Sequence, residues 1–196
     1  MKVAALAVSL FLAGNVLAQD NAPSDELYDF KGFRLGSSVE FLENYYATIC
    51  GNYPLGSGTK LCHQETTVAT HRAVVDYYFN SWWAGDDSQN GLYRINIRVE
   101  NDPLISEVRT ALIDRYGPPH RKLQVNPLYP EETYTPPADS WVKGDSEIIY
   151  SRSTFTSSTF TSSTVGERRI TRLVYVHWPL YLEHERRQAE RRADDL

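Results

Sequence analysis

The chain has 196 residues, 41% hydrophobic and 23% charged, with a formal net charge of −5 at pH 7. That balance fits one globular domain, and 13 Tyr, 7 Phe and 4 Trp exclude long low-complexity disorder. The negative charge argues against a basic surface that wraps nucleic acid, so no nucleic-acid partner is expected. A mean hydropathy of −0.45, with one long apolar run, excludes a polytopic membrane protein.

That run is at the start. Met1-Lys2 supplies a positive n-region, and Val3 to Gly14 an apolar h-region of signal-peptide length. Val16 and Ala18 are small residues at the −3 and −1 positions of a peptidase site, so cleavage is expected between Ala18 and Gln19. The run is too short to span a membrane, and Gln19-Asp20-Asn21 gives it no basic stop-transfer flank. Residues 1–18 therefore read as a signal peptide for the Sec pathway, the destination being the periplasm or the medium. No transmembrane segment is expected in the mature chain, and no lipobox cysteine follows.

Export decides how Cys50 and Cys62 are read. An even pair in an oxidising compartment is most simply a disulfide, here closing a Gly- and Pro-rich loop. Closing about a dozen residues stabilises by roughly 2–3 kcal/mol, mostly through the unfolded state. Catalytic dithiols favour C-x-x-C, which this spacing is not.

Residues 19–29 are polar and read as a loose arm. Phe30 to Gly36 reads as a short strand and turn. Ser37 and Glu40 have capping-box spacing, and Phe41, Leu42, Tyr45 and Ile49 recur at helical spacing, so a helix is expected from about Ser38 to Ala47. Strands follow at Glu65–Thr70, Ala73–Asn80 and Leu92–Glu100. In the last, Tyr93, Ile95, Ile97 and Val99 alternate with Arg94, Asn96, Arg98 and Glu100. Asp102 as N-cap, Pro103 at N1 and Gly117 at C′ frame a second helix with an apolar stripe through Val108 and Leu112. Residues 118–139 hold six of the ten prolines and read as a long connection, not a packed element. Strand signals resume at Ser140–Val142, Glu147–Thr154 and Arg169–Trp178. Between the last two lies a tandem Phe-Thr-Ser-Ser-Thr repeat (155–164), read as a polar hairpin arm. Pro179 opens a last helix to about Ala193, charged beyond Leu182 and carrying i, i+4 pairs Glu183–Arg187 and Arg186–Glu190.

The order predicts an α+β fold: an antiparallel meander with helices packed on one face, and a helix-plus-three-strand unit occurring twice. Residues 30–182 form the single domain, and 183–196 the charged end of the last helix. The Phe33-Arg34-Leu35-Gly36-Ser37-Ser38 helix entry, the single disulfide loop, the Leu92-Tyr93-Arg94-Ile95 strand and the Tyr116-Gly117-Pro118-Pro119 helix stop resemble small uncharacterised exported periplasmic proteins of bacteria. More distantly they are similar to the helix-plus-sheet modules of the outer-membrane assembly lipoprotein BamE and of the β-lactamase-inhibitor protein. The resemblance covers roughly residues 30–150 and implies a binding protein, not an enzyme. It supplies no functional residue, and this chain lacks the lipid-bearing cysteine of the assembly lipoprotein.

The catalytic and metal motifs of the sequence are each incomplete. Asp86-x-Ser88-x-Asn90-Gly91 starts like a calcium loop, but position 12 is Ile97 rather than an acid. Gly51 to Lys60 misses the spacing of a phosphate loop. His63, His71, His120, His177 and His184 make no zinc pattern, and no G-x-S-x-G is present. Glu183-His184-Glu185 reads as a solvated helix face. No cofactor, metal or catalytic residue is assigned. One constellation carries a binding reading: Tyr78, Trp82 and Trp83 near Arg94 and Arg98, since aromatics with arginine anchor interfaces and stack on sugars. The expected function is that of an exported, non-enzymatic envelope protein binding a protein partner through a sheet face and loops, for instance as an inhibitor of a secreted hydrolase. A glycan or small-molecule binder, and a hydrolase without a recognisable motif, are the alternatives.

Overall fold

The computed structural model describes residues 27–40, 42, 49–52, 58–80, 91–100, 106–157 and 166–194. The signal peptide with its Ala18–Gln19 junction, most of the arm, Trp82 and Trp83, and residues 158–164 of the tandem repeat lie outside these residues. Among the described residues no helix is long and apolar enough to cross a membrane.

The expected antiparallel α+β architecture is present. A small hairpin comes first, β1 (Asp29–Phe30) with β2 (Phe33–Arg34). Its two-residue turn needs positive φ, and Lys31 (52°) and Gly32 (84°) supply it. Val39, Glu40 and Leu42 are helical, in the expected first helix. Then β3 (Ile49–Asn52), β4 (Thr59–Val68), β5 (His71–Asn80) and β6 (Leu92–Glu100) form one meander. Helix α1 (Glu107–Tyr116) carries the chain to the far edge of the sheet. There β7 (Arg121–Asn126), β8 (Tyr129–Lys143), β9 (Ser146–Ser157) and β10 (Gly166–His177) form a second meander, and α2 (Trp178–Asp194) ends the described chain. The meanders join through β6 and β10 into one eight-stranded sheet of order β3-β4-β5-β6-β10-β9-β8-β7. The repeated unit is thus a helix and four strands. The fourth strand in each half is the one sequence alternation did not reveal: β3, hidden in the disulfide loop, and β7, hidden among prolines.

Residues 118–139 are the largest correction, since they form most of a hairpin rather than a connection. The prolines fit because β8 pairs with β9 only through Asp139–Lys143. Residues 129–138 have β7 alone as a strand neighbour, so a missing N–H on the other side breaks no ladder bond. That half of the hairpin is a ribbon, and its turn places buried Leu128 on the sheet. Asn126 shapes the turn: its Oδ1 accepts from the Leu128 N–H (3.1 Å), and its amide donates to Glu132 (3.0 Å).

The main core lies on one face. Val75, Tyr77 and Phe79 of β5, Ile95, Ile97 and Val99 of β6, and Leu173 and Tyr175 of β10 meet Phe30, Phe33 and Leu35 from the N-terminal hairpin and Val108 and Leu112 of α1. Helix α1 starts later than Asp102-Pro103 implied. Its N-cap is Ser106, whose Oγ accepts from the Arg109 N–H at 3.0 Å. Its end is as read, with Gly117 at φ 79° donating to Ile113 O. A second, smaller core of Tyr93, Leu128, Val176 and Tyr181 lies on the other side, beneath α2, so the helices divide between the two faces. Cys50 and Cys62 are directly opposed in the β3–β4 ladder and form the expected disulfide.

One buried charge ties the second meander together. Glu147 of β9 is fully buried, yet it accepts from Arg121 of β7 (2.8 and 2.9 Å), from Trp178 Nε1 of α2 (3.0 Å) and from the Ser140 hydroxyl of β8. Both carboxylate oxygens are engaged, which is what makes such burial tolerable.

Candidate functional site

The face opposite the main core carries the residues the sequence singled out. Tyr78 of β5 is directly paired with Arg94 of β6, and the guanidinium carbon lies 3.9 Å from the centre of the Tyr78 ring. Arg98 is four residues along β6 on the same face, about 13 Å away at strand rise. It is exposed and pairs across the ladder with Arg172 of β10. Arg94 and Tyr78 are therefore brought together, while Arg98 belongs to a neighbouring position. Trp82 and Trp83 add nothing, being outside the described residues.

A local irregularity creates the site. Tyr78 pairs with Arg94, but the next residue, Phe79, pairs with Leu92, so Tyr93 is an extra residue in β6. Such a bulge breaks the two-residue alternation. Leu92 turns into the main core beside Phe79. Tyr93 leaves the apolar row it would share with Ile95 and Ile97 and joins Arg94 on the other side. Its ring stacks on His184 (centroids 4.7 Å) and lies 6.2 Å from both Tyr78 and Tyr181.

Helix α2 and the ribbon turn complete the walls. Asn80 Nδ2 donates to Leu180 O (3.1 Å), fixing the first turn of α2 across the strand ends. Tyr181 Oη donates to Leu128 O (3.3 Å), joining helix to ribbon. His184 does not sit on a solvated face as read from Glu183-His184-Glu185: it is 3% exposed, because the bulge presents Tyr93 for it to stack on. Its Nε2 accepts from the Gln188 amide (2.7 Å) and lies 3.2 Å from Thr59 Oγ1. Burial, and then the Arg94 charge, lower its pKa to about 4, so the ring is neutral at pH 7. Burial likewise pushes the Tyr93 and Tyr181 hydroxyls up to about 12.

Two concavities result. One, of about 520 Å³, lies between Tyr93, Arg94, the ribbon turn and α2. The other, of about 290 Å³, lies between the sheet at Asn96, Arg98 and Arg172 and the ribbon at Glu132 and Tyr134. They share Leu128 and Tyr129 as a common wall, so they lie side by side under the ribbon. Among the described residues no group of His, Cys, Asp and Glu could hold a metal ion.

The sequence missed Tyr93 as a site residue because a bulge leaves no mark on the alternation pattern. It missed Leu128, Tyr129 and His184 because their segments read as connection and solvated helix. The Asn-Pro-Leu-Tyr-Pro turn (126–130) was the available signal, an apolar pair where a turn is ordinarily polar. No protein-family profile, curated protein or solved structure matches this chain.

Proposed function

We propose that this chain is an exported binding protein that works by docking, without chemistry, and that it receives its partner in the cleft beneath the ribbon. The observation that carries this reading is the Tyr93 bulge, which turns a tyrosine and an arginine into one concavity beside Tyr78. Clustered aromatics with arginine are the usual anchors of binding energy. His184, the histidine at the cavity, is engaged through Nε2, stacked, and far from its ordinary pKa, which suits a packing role better than proton transfer at pH 7. The disulfide and the signal-like first eighteen residues support an oxidising destination, periplasmic or extracellular. The ribbon roofs the face, so the geometry favours a projecting loop or chain end of another envelope or secreted protein, such as a hydrolase, over a flat docking surface. A small molecule is the second reading, favoured by cavity volumes near the lower range of ligand pockets.

Site-specific photo-crosslinking in the exporting cell tests this. A benzophenone amino acid at Tyr129, which is 41% exposed at the cleft mouth, is expected to give a discrete protein adduct. The same probe at Arg115 on α1, remote from the cleft, is expected to give none. Adducts from Arg115 alone, or the same adducts from both, contradict the cleft as the docking site.

A further inference from the structure

Arg94 is the residue of this cleft with an unmet need. It is 8% exposed, and arginine does not discharge by losing its proton. Among the described residues no carboxylate lies within the 4.0 Å ion-pair distance of its guanidinium. Glu131 and Glu185, the carboxylates at the cavity wall, both lie beyond that distance. Glu185 is hydrogen-bonded with Tyr181. Arg94 has a ring on one flat face, Tyr78 at 3.9 Å, and one donor engaged, Nη1 to the Tyr129 hydroxyl at 3.1 Å. Its Nε–H has no hydrogen-bond partner. A buried cation held by tyrosine rings and hydroxyls, with no acid beside it, is costly, and a purely structural arginine is ordinarily buried with its acid.

We propose that the cleft binds a carboxylate, carried on an aromatic or apolar stem, which docks on the guanidinium of Arg94 where it lines the cavity. This rests on the cleft reading above and names the group that seats there. The terminal N–H donors of a guanidinium match the two oxygens of a carboxylate. Tyr129 stands on the ribbon turn with its hydroxyl on Nη1, and the acid takes the place of that hydroxyl. Tyr78, Tyr93 and Leu128 offer surface for the stem. The same face repeats the charge at Arg98 and Arg172, directly opposed across the ladder, in a concavity that Asp76 and Glu132 also line. The carboxylate is that of a free organic acid, or of a partner's chain end.

Titration calorimetry on the full mature chain, with its disulfide intact, decides the matter. The probes are phenylacetate against phenylacetamide for a free acid, and N-acetylphenylalanine against its amide for a chain end. The acid of at least one pair is expected to bind about tenfold or more tightly than its amide. The pair with the larger preference identifies the source. In Arg94→Met the preference disappears and the melting temperature stays level or rises, since an unpaired buried cation has been removed. Arg94→Lys keeps the charge without the fork, and is expected to fold and retain only a weaker preference. Equal binding of acid and amide overturns the inference but leaves the cleft reading standing. Binding of no probe overturns the inference, and the Tyr129 crosslink then judges the cleft separately. Unfolding of both variants, or a large drop in their melting temperature, overturns it as well, because Arg94 would then be a structural cation.

Discussion

Glu147 and His184 are both buried polar side chains, and each is held in its own way. Glu147 is held by partners on β7, β8 and α2, so its replacement leaves an arginine, an indole N–H and a hydroxyl without their acceptor. Glu147→Ala is expected to cost about 3–5 kcal/mol in urea unfolding. A loss below about 1 kcal/mol contradicts the network. His184 is held by its stacking on Tyr93. Its folded pKa, about 4, lies below the ordinary 6.5, so the unfolded chain binds more protons between these values. Stability is full above pH 6.5 and falls as pH drops towards 4. The wild type is therefore expected to lose stability relative to His184→Gln across that window. Parallel pH profiles for the two proteins contradict the assignment. Sequence alone placed His184 in water, because a helix rich in Glu and Arg hides which face is covered. The covering ring, Tyr93, is turned there by a bulge more than ninety residues earlier.

At the scale of elements, what could be read depended on regularity. β5, β6 and α2 follow period-two or capping rules, and the structure has them within a few residues of where the pattern put them. β7 and the first part of β8, before the strand read at Ser140–Val142, were hidden because proline reads as a breaker, although an unpaired strand edge tolerates it. The β4–β5 turn is the opposite kind of departure. Ala69 (φ 45°) and Thr70 (φ 72°) sit in the left-handed region that suits Asn and Gly, and a β-branched threonine there is strained. The double change Ala69→Asn, Thr70→Gly is expected to stabilise by about 1 kcal/mol, read as a higher denaturation midpoint. A fall in the midpoint contradicts that view of the turn. The disulfide belongs to this scale too, because it fastens the edge strand β3 to β4. Replacing both cysteines by Ala is expected to cost roughly 2–3 kcal/mol.

Across the whole molecule, two helix-and-meander halves meet at β6–β10, and their opposite faces are used differently. One face is filled by α1 and the N-terminal hairpin and makes the main core. The other is covered only in part, by α2 and the ribbon, and the uncovered remainder is the cleft. The sequence indicated the layer and pointed at Tyr78, Arg94 and Arg98. It could not show that the second face is roofed, because the roof is the proline-rich segment. The central claim is that recognition takes place under that roof. Amide hydrogen exchange of the full chain, with and without saturating phenylacetate, tests it directly. The account predicts slowed exchange at Tyr93–Arg94, in the 126–129 turn and in the first turns of α2, with α1 and the β1–β2 hairpin unchanged. Slowed exchange on the α1 face, with none at the ribbon turn, would contradict it.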